Sequence, residues 1–239
     1  MTDFGFRDAY VGVLKGIIAK LAPKTAVIDL CHSIQPQNIK HGRAILKDNF
    51  QYFPDDSIFC CVVDPEVGSA RKPLVILHQN RLFIGPDNGL LSDFASDRNI
   101  WELPFEKDIS NTFHGRDIFA PWAARLAVNR NLLNQFKRCS MSDIQKLTIA
   151  DVQINHKWQN IDVIYNDHFG NLITNGIYEK GKLEVRINNS IVRVFKHYSE
   201  MPPDTIAAIV GSSDRLEISV RNGNAFALAM PDLIEARSF

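Results

Sequence analysis

Cysteine is scarce in this chain, with only Cys31, Cys60, Cys61 and Cys139 among 239 residues, and none forms a C-x-x-C pair. That excludes a zinc knuckle or a disulfide scaffold, and the adjacent Cys60 and Cys61 read as small buried hydrophobes of a protein kept reduced. Net charge is missing as well, since 27 Lys and Arg offset 27 Asp and Glu. Without a field to draw in phosphate backbones or anionic lipid, nucleic-acid and membrane-surface partners are not expected. Apolar runs such as residues 58–63 fall far short of the roughly 20 residues of a membrane helix. The N-terminus lacks the basic-then-apolar profile of a signal peptide, so a cytoplasmic location is expected. No repeat, low-complexity tract or Pro/Gly-rich linker is present.

What is present is ordinary for a globular protein: 45% hydrophobic and 23% charged residues, in a length that suits one large domain or two smaller ones. Val13, Leu14, Ile17, Ile18 and Leu21 recur at helical spacing over residues 8–21, and Pro23 closes that segment before a predicted strand at 26–30. A second helical pattern covers 38–50, and the unbroken β-rich run 58–63 reads as a strand covered on both faces. This alternation predicts α/β architecture with a buried parallel sheet. A hairpin is predicted from 74–77 and 81–84, and a helix over 118–128 with Pro121 in its first turn. Beyond about residue 150 the texture changes to short period-2 runs, at 161–165, 172–174, 183–187, 191–194, 206–209, 216–220 and 225–228, with Asn188 and Asn189 in a hairpin turn. The division is placed at 1–145 and 146–239.

Four segments combine Gly, Asp, Asn and Arg in ways packing does not require: Thr2-Asp3-Phe4-Gly5 with Asp8, Asp64-Pro65-Glu66-Val67-Gly68 with Arg71, Phe113-His114-Gly115-Arg116-Asp117, and Asp167-His168-Phe169-Gly170-Asn171. Each alone reads as a cap, a turn or a locally bonded loop residue. Together with C-H-S-I, G-P-D-N-G-L-L and L-E-I-S-V-R-N-G-N-A, and in this order over essentially the whole chain, they resemble the S-adenosyl-L-methionine hydroxide adenosyltransferases, relatives of the fluorinating and chlorinating enzymes.

The resemblance implies an N-terminal three-layer Rossmann-like α/β domain, a C-terminal antiparallel β-barrel-like domain, and a homotrimer with active sites at subunit interfaces. It implies hydrolysis of S-adenosyl-L-methionine to adenosine and L-methionine, with no metal and no cofactor. Asp64, Arg71 and His114 match the residues that handle the attacking water. Asp3 matches the ribose-diol acceptor, Asp8 and Asp167 the partners of the methionine ammonium, and Ser212 that of its carboxylate. Phe169 matches the adenine-stacking face, Asn171 its edge reader, Asn224 and Ala225 a further backbone contact, and Phe113 lies in the matching F-H-G-R-D motif. Family members carry an apolar strand before T-D-F-G where this sequence has Met1, so a first sheet strand is expected to be missing. Glu66 replaces a common Gly, and Gly211-Ser212-Ser213-Asp214-Arg215 is looser than the usual N-S-x-G-Y.

The chemistry also follows from the residue types. A sulfonium leaves as a neutral thioether, so no general acid is required. The difficulty is the nucleophile, because the pKa of free water, about 15.7, makes hydroxide scarce at neutral pH. A permanently charged Arg71 stabilises hydroxide character, His114 accepts a proton near neutrality, and Asp64 orients them. Arg116 and Asp117 are expected to pair with neighbours or cap a helix, and the other six histidines carry no catalytic expectation. A halide-using enzyme and a non-catalytic S-adenosylmethionine or adenosine-binding module are the alternatives. A conventional methyltransferase fits less well, because no early G-x-G loop follows a strand.

Overall fold

The computed structural model describes residues 1–105, 109–147, 151–228 and 231–239. Contacts divide the chain into two units, Met1–Leu147 and Thr148–Phe239, of mixed α/β and mainly β character. Among the described residues no helix is long and apolar enough to cross a membrane.

In the first unit the helical spacings give α1 (Tyr10–Leu21), which buries Val11 and Leu14, and α2 (Ile39–Asn49). Asn38 starts α2 by accepting the His41 N–H on its side chain at 2.9 Å, satisfying one of the donors a helix leaves open. Five strands, β1 (Ile58–Cys60), β2 (Pro73–His78), β3 (Arg81–Pro86), β4 (Ile100–Glu102) and β5 (Lys137–Cys139), form a sheet in the order β1-β3-β2-β4-β5. Only β1 and β3 pair in parallel within it. The expected parallel sheet is therefore mixed, and the β2–β3 turn supplies the reason: Gln79 and Asn80 adopt φ of 47° and 60°, the left-handed pair that reverses a chain in two residues.

One face of the sheet is filled by Phe59, Phe83 and Phe94, with Phe83 stacked on both neighbours at 4.9 and 4.0 Å between centroids. The other packs Val62, Val75, Leu82 and Ile84 against Ile118, Phe119, Ala123 and Leu126. These come from a π-helical turn, Gly115–Phe119, running into α3 (Ala120–Val128), where Pro121 sits at the tolerated start.

Residues 26–30 are not a strand. They lack a sheet neighbour: residues 25–30 and 57–61 instead line a cavity of about 540 Å³ together with Met1, Val11 and Ile18. Val27 and Ile28 are consequently 43% and 67% exposed, and β-propensity without a partner strand does not make a strand. At one end of this cavity the Met1 ammonium donates to the Cys60 carbonyl at 2.9 Å, Thr2 N–H donates to the Cys31 carbonyl at 3.0 Å, and Thr2 bridges Val62 in parallel.

The second unit contains β6 (Val152–Gln153), β7 (Gln159–Ile161), β8 (Val163–Asn166), β9 (Leu172–Ile177), β10 (Leu183–Ile187), β11 (Ser190–Val192), β12 (Val194–Phe195), β13 (Ile206–Val210), β14 (Arg215–Val220) and β15 (Ile234–Ser238). They form one sheet in the order β11-β10-β15-β7 and another in the order β12-β13-β14-β9-β6, with β8 beside β9. Both sheets contribute to one core, including Leu172, Val185, Leu216, Ile218 and Ala236. The pairings among the described residues describe open sheets rather than a closed barrel. Asn188 and Asn189 turn β10 into β11 with φ of 48° and 65°, where the hairpin turn is predicted.

Residues 225–228, predicted as a strand, form instead the short helix α4 (Ala225–Leu228). Asn224 overrides the local pattern: its side-chain oxygen accepts the Ala227 N–H at 2.8 Å and its carbonyl the Leu228 N–H at 3.2 Å. Strand β15 was not predicted, although Ile234-Glu235-Ala236-Arg237 alternates with Ile234 and Ala236 buried, as a half-covered strand does.

Candidate active site

In the first unit, Asp64 closes the segment that follows β1, Arg71 lies just before β2, and His114 opens the π-helical turn. Gly68 draws these segments together. At φ 84° it packs against the Asn111 carbonyl so closely that a Cβ would collide with it, which fixes the 64–71 loop beside the approach to His114. Arg71 Nε donates to Asp64 Oδ1 at 2.7 Å and Nη2 donates to Asp64 Oδ2, a bidentate pair. Nη2 also lies 2.7 Å from His114 Nδ1. The Arg71 and Asp64 side chains are 2% and 4% exposed, and the guanidinium rests 5.4 Å from the Phe119 ring centroid.

Two consequences follow from donor and acceptor arithmetic. A guanidinium has no acceptor, so His114 Nδ1 must present its lone pair to Arg71, which places the proton of the neutral ring on Nε2. Burial, then the charge of Arg71, hold His114 below the ordinary imidazole pKa, so that neutral form is favoured. The remaining nitrogen, Arg71 Nη1, is buried with no hydrogen-bond partner among the described residues. A charged N–H donor in that state is costly unless a ligand oxygen meets it.

Asp3 is near enough to Asp64 to feel its charge; burial first, and Asp64 in addition, raise the Asp3 pKa against the opposing hydrogen bond from Gln37 N–H to Oδ2 at 2.7 Å. Asp8 is exposed just ahead of α1. Phe113 meets Phe4 and Tyr10 edge-on at 6.0 and 5.2 Å, an aromatic group of which Tyr10 alone lies outside the segments singled out in the sequence. Arg116 and Asp117 pair with each other at 2.6 and 2.9 Å, as expected. Glu66 is exposed.

In the second unit the structure gathers the 167–171 and 224–226 segments. Gly170, at φ 84°, leaves room for the Asn224 side chain where a Cβ would collide, and the Gly170 carbonyl accepts the Phe226 N–H at 3.1 Å. Asp167 organises its loop: Oδ1 accepts the N–H groups of Phe169 and Asn171, and Oδ2 the Asn171 side-chain amide, each at 2.9 Å. Phe169 is thereby held 74% exposed, a ring face open to stacking rather than part of the core. Asn171 is 7% exposed and spends its amide N–H groups on Asp167 and on the Tyr198 hydroxyl at 3.3 Å, leaving a carbonyl oxygen to meet an amino group. Ala225 is buried, and Ser212 is exposed in the turn before β14.

Two residues here were not singled out in the sequence. The Tyr198 hydroxyl donates to Glu217 Oε2 at 2.8 Å, which joins Asp167, Asn171, Tyr198 and Glu217 in one chain of hydrogen bonds. Burial and the nearby Asp167 carboxylate raise the Glu217 pKa, and burial raises that of Tyr198. Glu217 stands within L-E-I-S-V, where a charged residue interrupting an apolar strand was the available signal.

Residues 1–136 match the family model of the SAM hydroxide adenosyltransferase N-terminal domain, and residues 161–230 that of its C-terminal domain. A protein of Salinispora tropica named (R)-S-adenosyl-L-methionine hydrolase is 32% identical over 235 residues, covering 94% of this chain and 90% of that protein. A fluorinase of Nocardia brasiliensis is 23% identical, over 73% of this chain and 69% of its own. The crystal structure of an uncharacterized conserved protein from Thermotoga maritima superposes with a TM-score of 0.84 at 30% identity, covering 99% of this chain and 98% of that one.

Proposed function

The chain belongs to the SAM hydroxide adenosyltransferase family, and from that premise we propose that it hydrolyses S-adenosyl-L-methionine to adenosine and L-methionine. The observation that carries this reading is the buried Arg71 Nη1 without a partner, beside a guanidinium otherwise locked by Asp64 and His114. It suits a water or hydroxide oxygen that must be held and acidified.

In the reaction, the water oxygen forms a bond to ribose C5′ while the C5′–S bond breaks, and its electron pair leaves on sulfur as the neutral thioether of methionine. Arg71 Nη1 donates to the attacking oxygen and stabilises its anionic character. Productive attack requires that oxygen about 3–3.5 Å from C5′ and in line with sulfur. Asp64 fixes the guanidinium through two bonds, and His114 Nδ1 fixes its third direction. The water proton reaches His114 Nδ1 only if Arg71 Nη2 releases it; with that bond kept, the imidazole positions the guanidinium and the proton passes to solvent. Because an anion-like nucleophile meets a sulfonium and charge is destroyed, removal of bulk water assists.

Binding roles follow the same logic. Asp3 takes the ribose diol, Phe169 stacks on adenine, the Asn171 carbonyl oxygen accepts from its amino group, and Asn224 and Ala225 lie alongside. Asp8 and Asp167 serve the ammonium, Ser212 the carboxylate, and Phe113 borders the substrate. The leaving group is already cationic, so the reading requires neither metal nor redox cofactor. It also includes a homotrimer of subunits with a three-layer first unit and a barrel-like second one, working in the cytoplasm.

The test is incubation of purified protein with S-adenosyl-L-methionine in ¹⁸O-water, with and without chloride and with a chelator, followed by chromatography and mass detection. Equimolar methionine and adenosine carrying ¹⁸O at the 5′ position, indifferent to chloride and chelator, is expected. A 5′-halogenated nucleoside would replace this reading by halogenation, and tight binding without product would replace it by a binding module.

A further inference from the structure

The Asp167 carboxylate, matched above to the methionine ammonium, is largely consumed by its own loop. An ionised carboxylate has about four acceptor sites, and two backbone N–H groups and the Asn171 amide occupy Asp167. Glu217, projecting from β14 into the same hydrogen-bond chain, is differently placed. Its Oε2 accepts from the Tyr198 hydroxyl, while Oε1 lies against Gly211, where a Cβ would collide with it. Gly211, having no side chain, leaves the space this carboxylate occupies beside the turn that carries Ser212.

That position has a chemical meaning. The α-ammonium and α-carboxylate of an amino acid hang from one carbon, so their protein partners must be neighbours. Ser212, matched to the carboxylate, directly follows Gly211, and Glu217 Oε1 lies against Gly211. Among the described residues Glu217 is also short of positive charge: the influences on it are burial, the Tyr198 hydroxyl and the Asp167 carboxylate, and burial and Asp167 favour its neutral form. A cation supplied by a ligand would reverse that balance.

Resting on the hydrolase reading, we infer that Glu217, held by Tyr198, is a further counter-charge of the substrate's α-ammonium group beside Asp8 and Asp167, and sets selectivity for a sulfonium bearing a complete amino acid. Asp167, which also orders the loop that presents Phe169 and Asn171, shares this role with its one remaining acceptor site.

The experiment compares wild type, Glu217→Gln and Glu217→Asp on S-adenosyl-L-methionine and on the sulfonium analogue whose carboxypropyl arm lacks the amino group. Glu217→Gln removes a charge-assisted hydrogen bond, so KM for the natural substrate should rise at least about tenfold with kcat little changed. On the deamino analogue wild type and variant should agree within about twofold. Adenosine binding measured by calorimetry should be unchanged in both variants, which reports that the second unit is folded. If Glu217→Gln fails that control, Glu217→Asp carries the test, with a smaller rise in KM confined to the natural substrate. An equal change on both substrates, or no change on either, overturns the inference while leaving the hydrolase reading standing. Absence of wild-type turnover on both substrates overturns the hydrolase reading, and this inference with it.

Discussion

The two polar centres treat charge in opposite ways. Around Arg71 a cation is satisfied from inside, by both Asp64 oxygens and His114 Nδ1, until one donor nitrogen remains. Around Glu217 two carboxylates are supported, among the described residues, by neutral donors: backbone N–H groups, an amide and a phenol. The first centre is complete except for an oxygen and the second except for a cation. A buried ion pair by itself is weak grounds for stability, because desolvation offsets much of the attraction. Its value here lies in leaving one nitrogen, Nη1, with its two N–H groups held in fixed directions, whereas the second centre recognises by what it lacks.

This contrast can be broken most forcefully at Arg71. Arg71→Ala leaves Asp64 buried and unpaired and removes the donor to water; kcat should fall at least about 10³-fold, with a lowered Tm, since breaking a buried pair costs roughly 3–5 kcal/mol. Activity within tenfold of wild type would show that Nη1 does not serve the nucleophile. Next in size is His114. His114→Ala should lose about 10²-fold in kcat, whereas His114→Asn, which offers Arg71 an amide oxygen near the place of Nδ1, should recover most of it. Equal loss in both variants would assign His114 the proton instead.

The pH profile sharpens the contrast further. Protonation of His114 ends its acceptance from Arg71, so kcat should fall as pH drops through a value below the ordinary imidazole range, in the direction burial and Arg71 shift it. KM should rise as pH drops through a carboxyl value above the ordinary range, in the direction of Glu217. His114→Asn should abolish only the first limb, and Glu217→Gln should shrink the second to the part contributed by Asp3, whose pKa burial likewise raises. The smallest effect belongs to Phe169→Ala: a ring 74% exposed contributes little to folding, so Tm should stay put while KM rises roughly 3–10-fold through lost stacking. An unchanged KM would remove the ring from substrate recognition.

Legibility from sequence followed the range of the interactions. Helices α1 and α2, the β2–β3 turn and the Asn188-Asn189 turn are fixed by spacing or by residues that tolerate positive φ, and all were visible. The 26–30 segment was misread because its fate rests on a neighbouring strand rather than on its own β-branched residues. Residues 225–228 were misread because four residues cannot separate period 2 from period 3.6, and the Asn224 cap decided the matter. At the candidate site, Asp64, Arg71 and His114 stood in motifs and their side chains meet. Tyr198 and Glu217 did not stand out, since their contact depends on register, with Glu217 facing Ile209 and Ile173 across strands, and on a one-turn helix at Tyr198–Glu200. No local pattern encodes either.

The cavity beside β1 bears on how the protein behaves in a tube. β1 ends its sheet, and next to it run Val27 and Ile28 with their side chains in solvent. A sheet margin of this kind is a template on which another chain can deposit a strand. Colloidal behaviour should therefore depend steeply on concentration. Light scattering that grows on concentrating the sample, and that Val27→Lys or Ile28→Lys suppresses without altering the Arg71 centre, would trace self-association to that margin.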